Sequence, residues 1–323
     1  MNIENSSEIR YGPTAQGSMA ADIQLFNFIP LGSSKALLDE VMIILELISP
    51  DFHTDPVKFA FEAVTSLYRG NWPGYRSCNT EYHDLCHTTD AFLAMARLIH
   101  GAAVDGVTFT NRYITIGLLA ALLHDVGYIQ EEHDVEGTGA KYTANHVQRG
   151  IDFIERHASE FGLSDKEVAD CQAMILCTDL AVDISTIVFT SAKVELLGKI
   201  LASADLLAQM ADRAYLEKLL FLYHELKEAG IGCYKGELDL LCKTVDFYNF
   251  IERRLKTTLD ATDRHMSSHF FSRWGIQANL YHVAIEKQRN YLRTILKIPN
   301  SDPCDHLKRD GIVNKIRRQY NMA

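Results

Sequence analysis

Two adjacent side chains able to bind a metal, His124 and Asp125, close the apolar run Leu118-Leu119-Ala120-Ala121-Leu122-Leu123, and Gly127 follows shortly after. An imidazole and a carboxylate at the end of so apolar a helix are costly to bury unless something pairs with them. A divalent cation would do so, because neutral imidazole and carboxylate are among its ordinary protein ligands. An isolated His-Asp pair could equally cap a neighbouring helix, so the weight falls on what else the chain offers. His87 lies in Glu81-Tyr82-His83-Asp84-Leu85-Cys86-His87-Thr88-Thr89-Asp90, and Asp205 lies in Ala202-Ser203-Ala204-Asp205-Leu206. Both fall at apolar, core-facing helical sites. In chain order the set runs His, His-Asp, Asp, from three separate helices. His83 stands one helical turn before His87, and on a helix both would project from one face.

Helices must hold these groups, and their signals run the length of the chain. Residues 1–32 read as a loose arm. Residues 33–80 read as a helical lead-in: Ser33-Ser34 caps a stripe of Leu37, Leu38, Val41, Met42, Leu45 and Ile48, and Pro56 opens a second helix through Phe59, Phe61, Val64 and Leu67. The helix bearing His87 is expected to continue through Phe92, Met95 and Leu98 to a stop at Gly101. Another, from about Asn111, delivers His124-Asp125. Gln130 to Gly139 is polar and glycine-bearing, a loop at the mouth of a site. A helix around Ala144-Asn145-His146 follows, then a capping box at Ser164-Asp165-Lys166-Glu167. Ser191 opens the long helix that presents Asp205. Further helical patterns run from Leu219 to Gly230, Leu238 to Leu259 and Ile276 to Leu296. Five basic residues (Lys308, Arg309, Lys315, Arg317, Arg318) mark the tail 299–323, read as a solvated terminal helix. No strand pattern and no repeat compete. The expected fold is all-α, one compact multi-helix domain over 81–298.

Composition narrows the function. A chain of 323 residues with 47% apolar and 23% charged side chains can bury a large core. A net charge of -10 argues against a nucleic-acid binder, which needs basic surface. A small phosphorylated substrate stays compatible, because a bound cation reverses the local field. Met1 to Gly17 lacks the layout of a signal peptide, and no apolar run is long enough for a bilayer. The seven cysteines form no CxxC pair, which reads as reduced thiols in a cytoplasmic protein.

The ordered set His87, His124-Asp125 and Asp205 resembles the HD-domain superfamily of metal-dependent phosphohydrolases. Within it, Tyr82-His83, His87 and Asp90 are similar to the Tyr-His-Asn-x-x-His-x-x-Asp signature of cyclic-nucleotide phosphodiesterase catalytic domains. Asn145-His146, Thr178-Asp179-Leu180 and Ala204-Asp205 fall where that family has Asn-His, Thr-Asp-Leu/Met and Ala-Asp. Phe247-Tyr248-Asn249-Phe250-Ile251 is similar to the segment of its purine clamp. The likeness spans roughly Glu81 to Ile251 as scattered motifs. It departs at Asp84, where the signature has Asn, at Tyr128-Ile129, where His-Pro is usual, and at Ala144, where an acidic residue precedes Asn-His. Thr244 stands where a glutamine would orient the purine, and a hydroxyl cannot make a two-pronged amide contact.

The resemblance implies a multi-helix domain with a metal site between helices and two divalent ions. His87, His124, Asp125 and Asp205 would hold the first, zinc, iron or manganese, with Asp125 bridging to a second, magnesium or manganese. A metal-activated water would attack a phosphodiester, and His83 would protonate the leaving oxygen. His146 and Asp179 would orient ligands or water, and Thr244 and Phe247 would meet the base of a nucleotide. Alternatives are a phosphomonoesterase, a di-iron oxygenase that recruits His133 or His146, and a non-catalytic metal-binding regulatory protein. The oligomeric state is not legible.

Overall fold

The structure is a computed structural model that describes residues 24, 25, 28 and 34–320. The expected arm over 1–32 and the Ser33 cap lie, but for Gln24, Leu25 and Phe28, outside the described residues. Those residues form twelve α-helices and no strand beyond an isolated bridge between Tyr75 and Glu131. The all-α expectation holds. None of the described helices is long and apolar enough to cross a membrane, and the seven cysteines are free.

Three helices form the centre: α3 (Leu85–Val104), α4 (Asn111–Leu123) and α7 (Ala192–Ala211). Each is buried along most of its circumference, from Ala91 to Ala102 on α3, Ile116 to Leu123 on α4, and Ile200 to Leu207 on α7. A helix apolar all round belongs inside a larger protein, and its sides demand partners. The two lead-in helices, α1 (Ser34–Ile48) and α2 (Asp55–Tyr68), pack on α3 and α4. The other neighbours are α5 (His146–Arg156), α6 (Asp165–Leu176), α8 (Tyr215–Glu228), α9 (Glu237–Thr257), α10 (His265–Trp274) and α11 (Leu280–Ile295). The tail carries α12 (Ile312–Gln319), which buries Ile312, Val313 and Ile316 against α8 and turns Lys315 to Glu81 and Arg317 to Asp305. Its basic residues face outward, but one side of the helix is part of the core.

Sequence signals place most boundaries and miss some for stated reasons. Ser164 and Glu167 form the expected capping box, and Ser191 caps α7 by accepting from the Val194 N–H. His83 is not on the helix of His87: Asp84 caps that helix, accepting the His87 N–H at 2.9 Å, so His83 sits in the bend before it. Gly101 does not end α3, which runs on to Val104. A Cβ there would lie 1.8 Å from the carbonyl oxygen of His265, so the glycine is where α10 crosses α3. The helix α10 itself, rich in His and Ser, was not expected.

Gly101→Ala should therefore destabilise the fold by about 1–3 kcal/mol or more, the usual effect of forcing atoms into a packed core. Chemical denaturation would measure it, and an unchanged midpoint would mean that α10 is free to move away from α3.

Candidate metal centre

The three central helices bring four polar groups to one point. His87 occupies the first turn of α3, His124 caps the C terminus of α4, Asp125 follows it, and Asp205 lies mid-way along α7. All four are nearly inaccessible, with His124 at 1% exposure and Asp205 at 8%. His87 Nε2 lies 3.3 Å from His124 Nε2, 3.3 Å from Asp125 Oδ2 and 3.1 Å from Asp205 Oδ1. His124 Nε2 lies 3.3 Å from Asp125 Oδ2 and 3.6 Å from Asp205 Oδ1. Two ligands on one ion with bonds of about 2.1 Å sit about 3.0 Å apart at a right angle and about 3.4 Å apart at a tetrahedral one. Asp125 Oδ2 has no hydrogen-bond partner although two imidazole nitrogens are that close. The two imidazoles are within hydrogen-bond reach of each other, but the spacing of the ring nitrogens around the unbonded Asp125 Oδ2 fits lone pairs aimed at a shared centre. The residues present fit a divalent cation: ligand atoms of His87, His124 and Asp125 all lie within 4.8 Å of one another, and Asp205 Oδ1 lies 3.1 Å from His87 Nε2.

Neighbouring groups fix these side chains. His124 Nδ1 donates to the Ala121 carbonyl at 2.8 Å, which reserves Nε2 for the centre. Asp205 Oδ1 accepts from Gln209 Nε2 at 3.0 Å, and Gln209 Oε1 accepts from the Tyr82 hydroxyl at 2.9 Å. Glu225 on α8 accepts the N–H groups of Glu81 and Tyr82 on one oxygen, and its other oxygen meets His83 Nδ1 at 2.7 Å. Tyr128 lies between two imidazoles, stacked 4.3 Å from His83 and 4.5 Å from His146. His146 points Nε2 towards Asp125 Oδ1 at 3.8 Å, its Nδ1 held by the Thr143 carbonyl. Gly127 permits this arrangement, since a Cβ there would lie 1.8 Å from the His146 carbonyl oxygen.

Electrostatics follow from burial and from the two carboxylates. Burial pulls the His87 imidazole down, but the carboxylates of Asp125 and Asp205 outweigh it and hold it at about 9. Burial likewise opposes the His124 charge, and Asp125 and Asp205 keep that ring well above its ordinary value. Burial would raise Asp125 and Asp205, yet the two imidazoles hold both carboxylates low. His146 is held down, chiefly by burial, against the pull of Asp125. Without a cation the cluster is thus a set of buried ion pairs.

The remaining candidates divide. His83 and His146 flank the cluster through Tyr128. Asp179 takes the Ala181 N–H on its carboxylate in a tight turn, and its carbonyl accepts from Arg254, so its recorded contacts are local. Thr244 is buried and its hydroxyl donates to the Leu240 carbonyl within α9. Phe247 packs half-buried against the core beside Phe250. His133 is 82% exposed on its side chain and pairs with Glu131. Reading the sequence missed Glu225, Gln209 and the stacking role of Tyr128. Glu225 carries no local signal, because what it binds lies over 140 residues away.

A family model described as Npun_R2479-like matches residues 131–266. That stretch holds Asp205, Glu225 and His146 but not His87 or His124-Asp125. No curated protein and no solved structure matches the chain.

The metal-free protein and its metal complex should respond to pH in opposite directions. His87 titrates near 9 in the folded chain against an ordinary 6.5, so its contribution to stability is full below 6.5 and lost as pH rises through 9. A cation needs that imidazole neutral, so binding expels protons and apparent affinity rises over the same window. The expected result is proton release on titration with zinc or manganese, with an apparent affinity that falls from pH 8 towards pH 6. His124→Ala and Asp205→Ala should both lose the metal.

Proposed function

We propose that the chain is a metal-dependent phosphohydrolase on the HD-domain plan that cleaves a phosphodiester of a nucleotide, cyclic ones included. The observation behind this reading is the convergence of His87, His124, Asp125 and Asp205 around a buried carboxylate oxygen that has no hydrogen bond. A cation bound there would supply an acidified water and neutralise phosphoryl oxygens. The four side chains would hold it, and Asp125 Oδ1, 3.8 Å from His146 Nε2, would be the oxygen left for a second cation. His83 stands beside the centre with Nδ1 occupied by Glu225, so its Nε2 is the atom that hands a proton to the departing oxygen. Glu225 and Tyr128 keep that ring oriented, one by a hydrogen bond and one by stacking. The metals would be zinc, iron or manganese in the tight site and magnesium or manganese in the second.

Nothing among the recorded contacts of Thr244 or Phe247 favours base recognition, so the proposal rests on the phosphate end of the substrate. A second reading, a di-iron oxygenase, draws on one observation, the 3.8 Å approach of His146 Nε2 to Asp125 Oδ1. Its other expected ligand, His133, is exposed in the loop. Elemental analysis with a screen of cyclic and linear phosphate esters separates the readings. Ester turnover supports hydrolysis, iron with oxygen uptake supports the oxygenase, and bound metal with neither supports a regulatory protein.

Leaving-group chemistry tests the role of His83. A ribose oxygen leaves poorly without a proton, whereas a nitrophenolate needs none. His83→Asn should lose roughly 10²–10⁴ in rate on a cyclic or alkyl phosphodiester and keep much of its activity on a nitrophenyl ester, at unchanged metal content. Equal losses on both would assign proton delivery to another group.

A further inference from the structure

Among the described residues Arg97, on α3, is the largest fully buried side chain, 2% exposed. Its Nη1 donates to the Tyr281 hydroxyl at 3.0 Å, while Nε and Nη2 have no hydrogen-bond partner. Those two N–H groups form one edge of the guanidinium, the fork that matches the two oxygens of a carboxylate. Burying a charged fork unpaired is costly. The rings of Phe270 and Tyr281, 5.5 and 5.8 Å away, offset part of that cost without supplying an acceptor. The surroundings add no anion. Arg273 is already paired with Glu40 at 3.0 Å. His269 is pushed far down, by burial first and then by Arg97, His100 and Arg273.

Arg97 also lines a cavity of about 720 Å³ bounded by α1, α3, α7, α8, α11 and α12. Leu93, one turn earlier on α3, and Tyr281 and Ala284, neighbours on α11, make an apolar wall there. Asp90, two turns before Arg97, lines the same cavity about 10 Å away along the helix. Asp212 and Lys218 close on each other at 2.5 Å and neutralise one another. The volume is within the range of small-molecule sites.

We propose that this cavity binds a small organic carboxylate with an apolar body, its two oxygens taken by Nε and Nη2 of Arg97. The Nε–Nη2 edge of Arg97, beside Leu93, Tyr281 and Ala284, matches the two oxygens of a carboxylate and an apolar body behind it, while Lys287, Arg309 and Lys315 line the cavity elsewhere. Both nitrogens are shielded from solvent, so entry needs a local shift of the wall. The Arg97 fork lies ten residues along α3 from His87, about 15 Å, although the far end of the cavity reaches Asp84 and Cys86 beside the cluster.

The test titrates the full chain with octanoate, with 1-octanol and with inorganic phosphate, by calorimetry and thermal melting. Octanoate should bind and raise the melting temperature by several degrees near saturation, while octanol and phosphate should not. Arg97→Met exchanges an unpaired buried cation for an apolar chain, so it should fold at least as stably and bind octanoate about tenfold more weakly or worse. Ala284→Trp blocks the apolar wall of the cavity, leaves Arg97 in place and should also lose octanoate, which keeps the proposal testable if Arg97→Met misfolds. No binding at about 10 mM octanoate, equal binding by the wild type and both variants, or phosphate binding as well as octanoate would each overturn it.

Discussion

The constraint on which the structure depends is the burial of two imidazoles and two carboxylates where three apolar helices meet. Any one of these groups alone in that core would be strongly destabilising, whereas together they neutralise one another or jointly hold a cation. Mutual neutralisation explains the raised imidazoles and lowered carboxylates. It does not explain Asp125 Oδ2, which lies 3.3 Å from two ring nitrogens and bonds to neither. Hydrogen-bonded ion pairs close up and align, and ligands of a common ion stand off from each other at this distance. The spacing is that of a group that could hold a divalent cation.

Holding that geometry requires more than the helices that carry it. Glu225 reaches from α8 to take two backbone N–H groups and one imidazole, which ties the bend before α3 to a helix far along the chain. Gln209 and Tyr82 extend the same tie to Asp205. On the opposite side Gly127 lets the turn after Asp125 lie against the start of α5, and Tyr128 then fills the space between His83 and His146. Metal-binding side chains are usually set by such outer partners, and here the partners come from α5, α7 and α8 at once. A loss of packing at any of those helices would reach the cluster.

What could be read from the sequence follows from which signals are local. The all-α fold, the capping box at Ser164 and Glu167 and the buried settings of His87, His124-Asp125 and Asp205 are local, and they stand in the structure. Gly101 was misread because a glycine in a helical pattern looks like a stop, whereas its reason is a carbonyl on α10, more than 160 residues away. His83 was placed on the helix because four-residue spacing suggests it, and the capping role of Asp84 overrides the spacing. Thr244 shows the limit of alignment by motif: a buried hydroxyl in a helix bonds to the carbonyl one turn back, as it does here. Glu225 could not be read at all, since its partners exist only once the chain has folded.

The departures from the phosphodiesterase signature fall unevenly around the centre. Asp84 caps the first turn of α3 by accepting the His87 N–H, so an acid at this position serves the helix that carries His87. Tyr128 supplies no ligand where an imidazole is usual, but it stacks on both flanking histidines. Ala144 is exposed and brings no acid to the side of Asp125 that faces His146. All three changes spare the tight cluster, and the last two thin the shell around the second oxygen of Asp125. On the proposed reading, one ion would be held firmly by four protein ligands. A second would rest on Asp125, water and the substrate itself, so its occupancy would follow that of the active site.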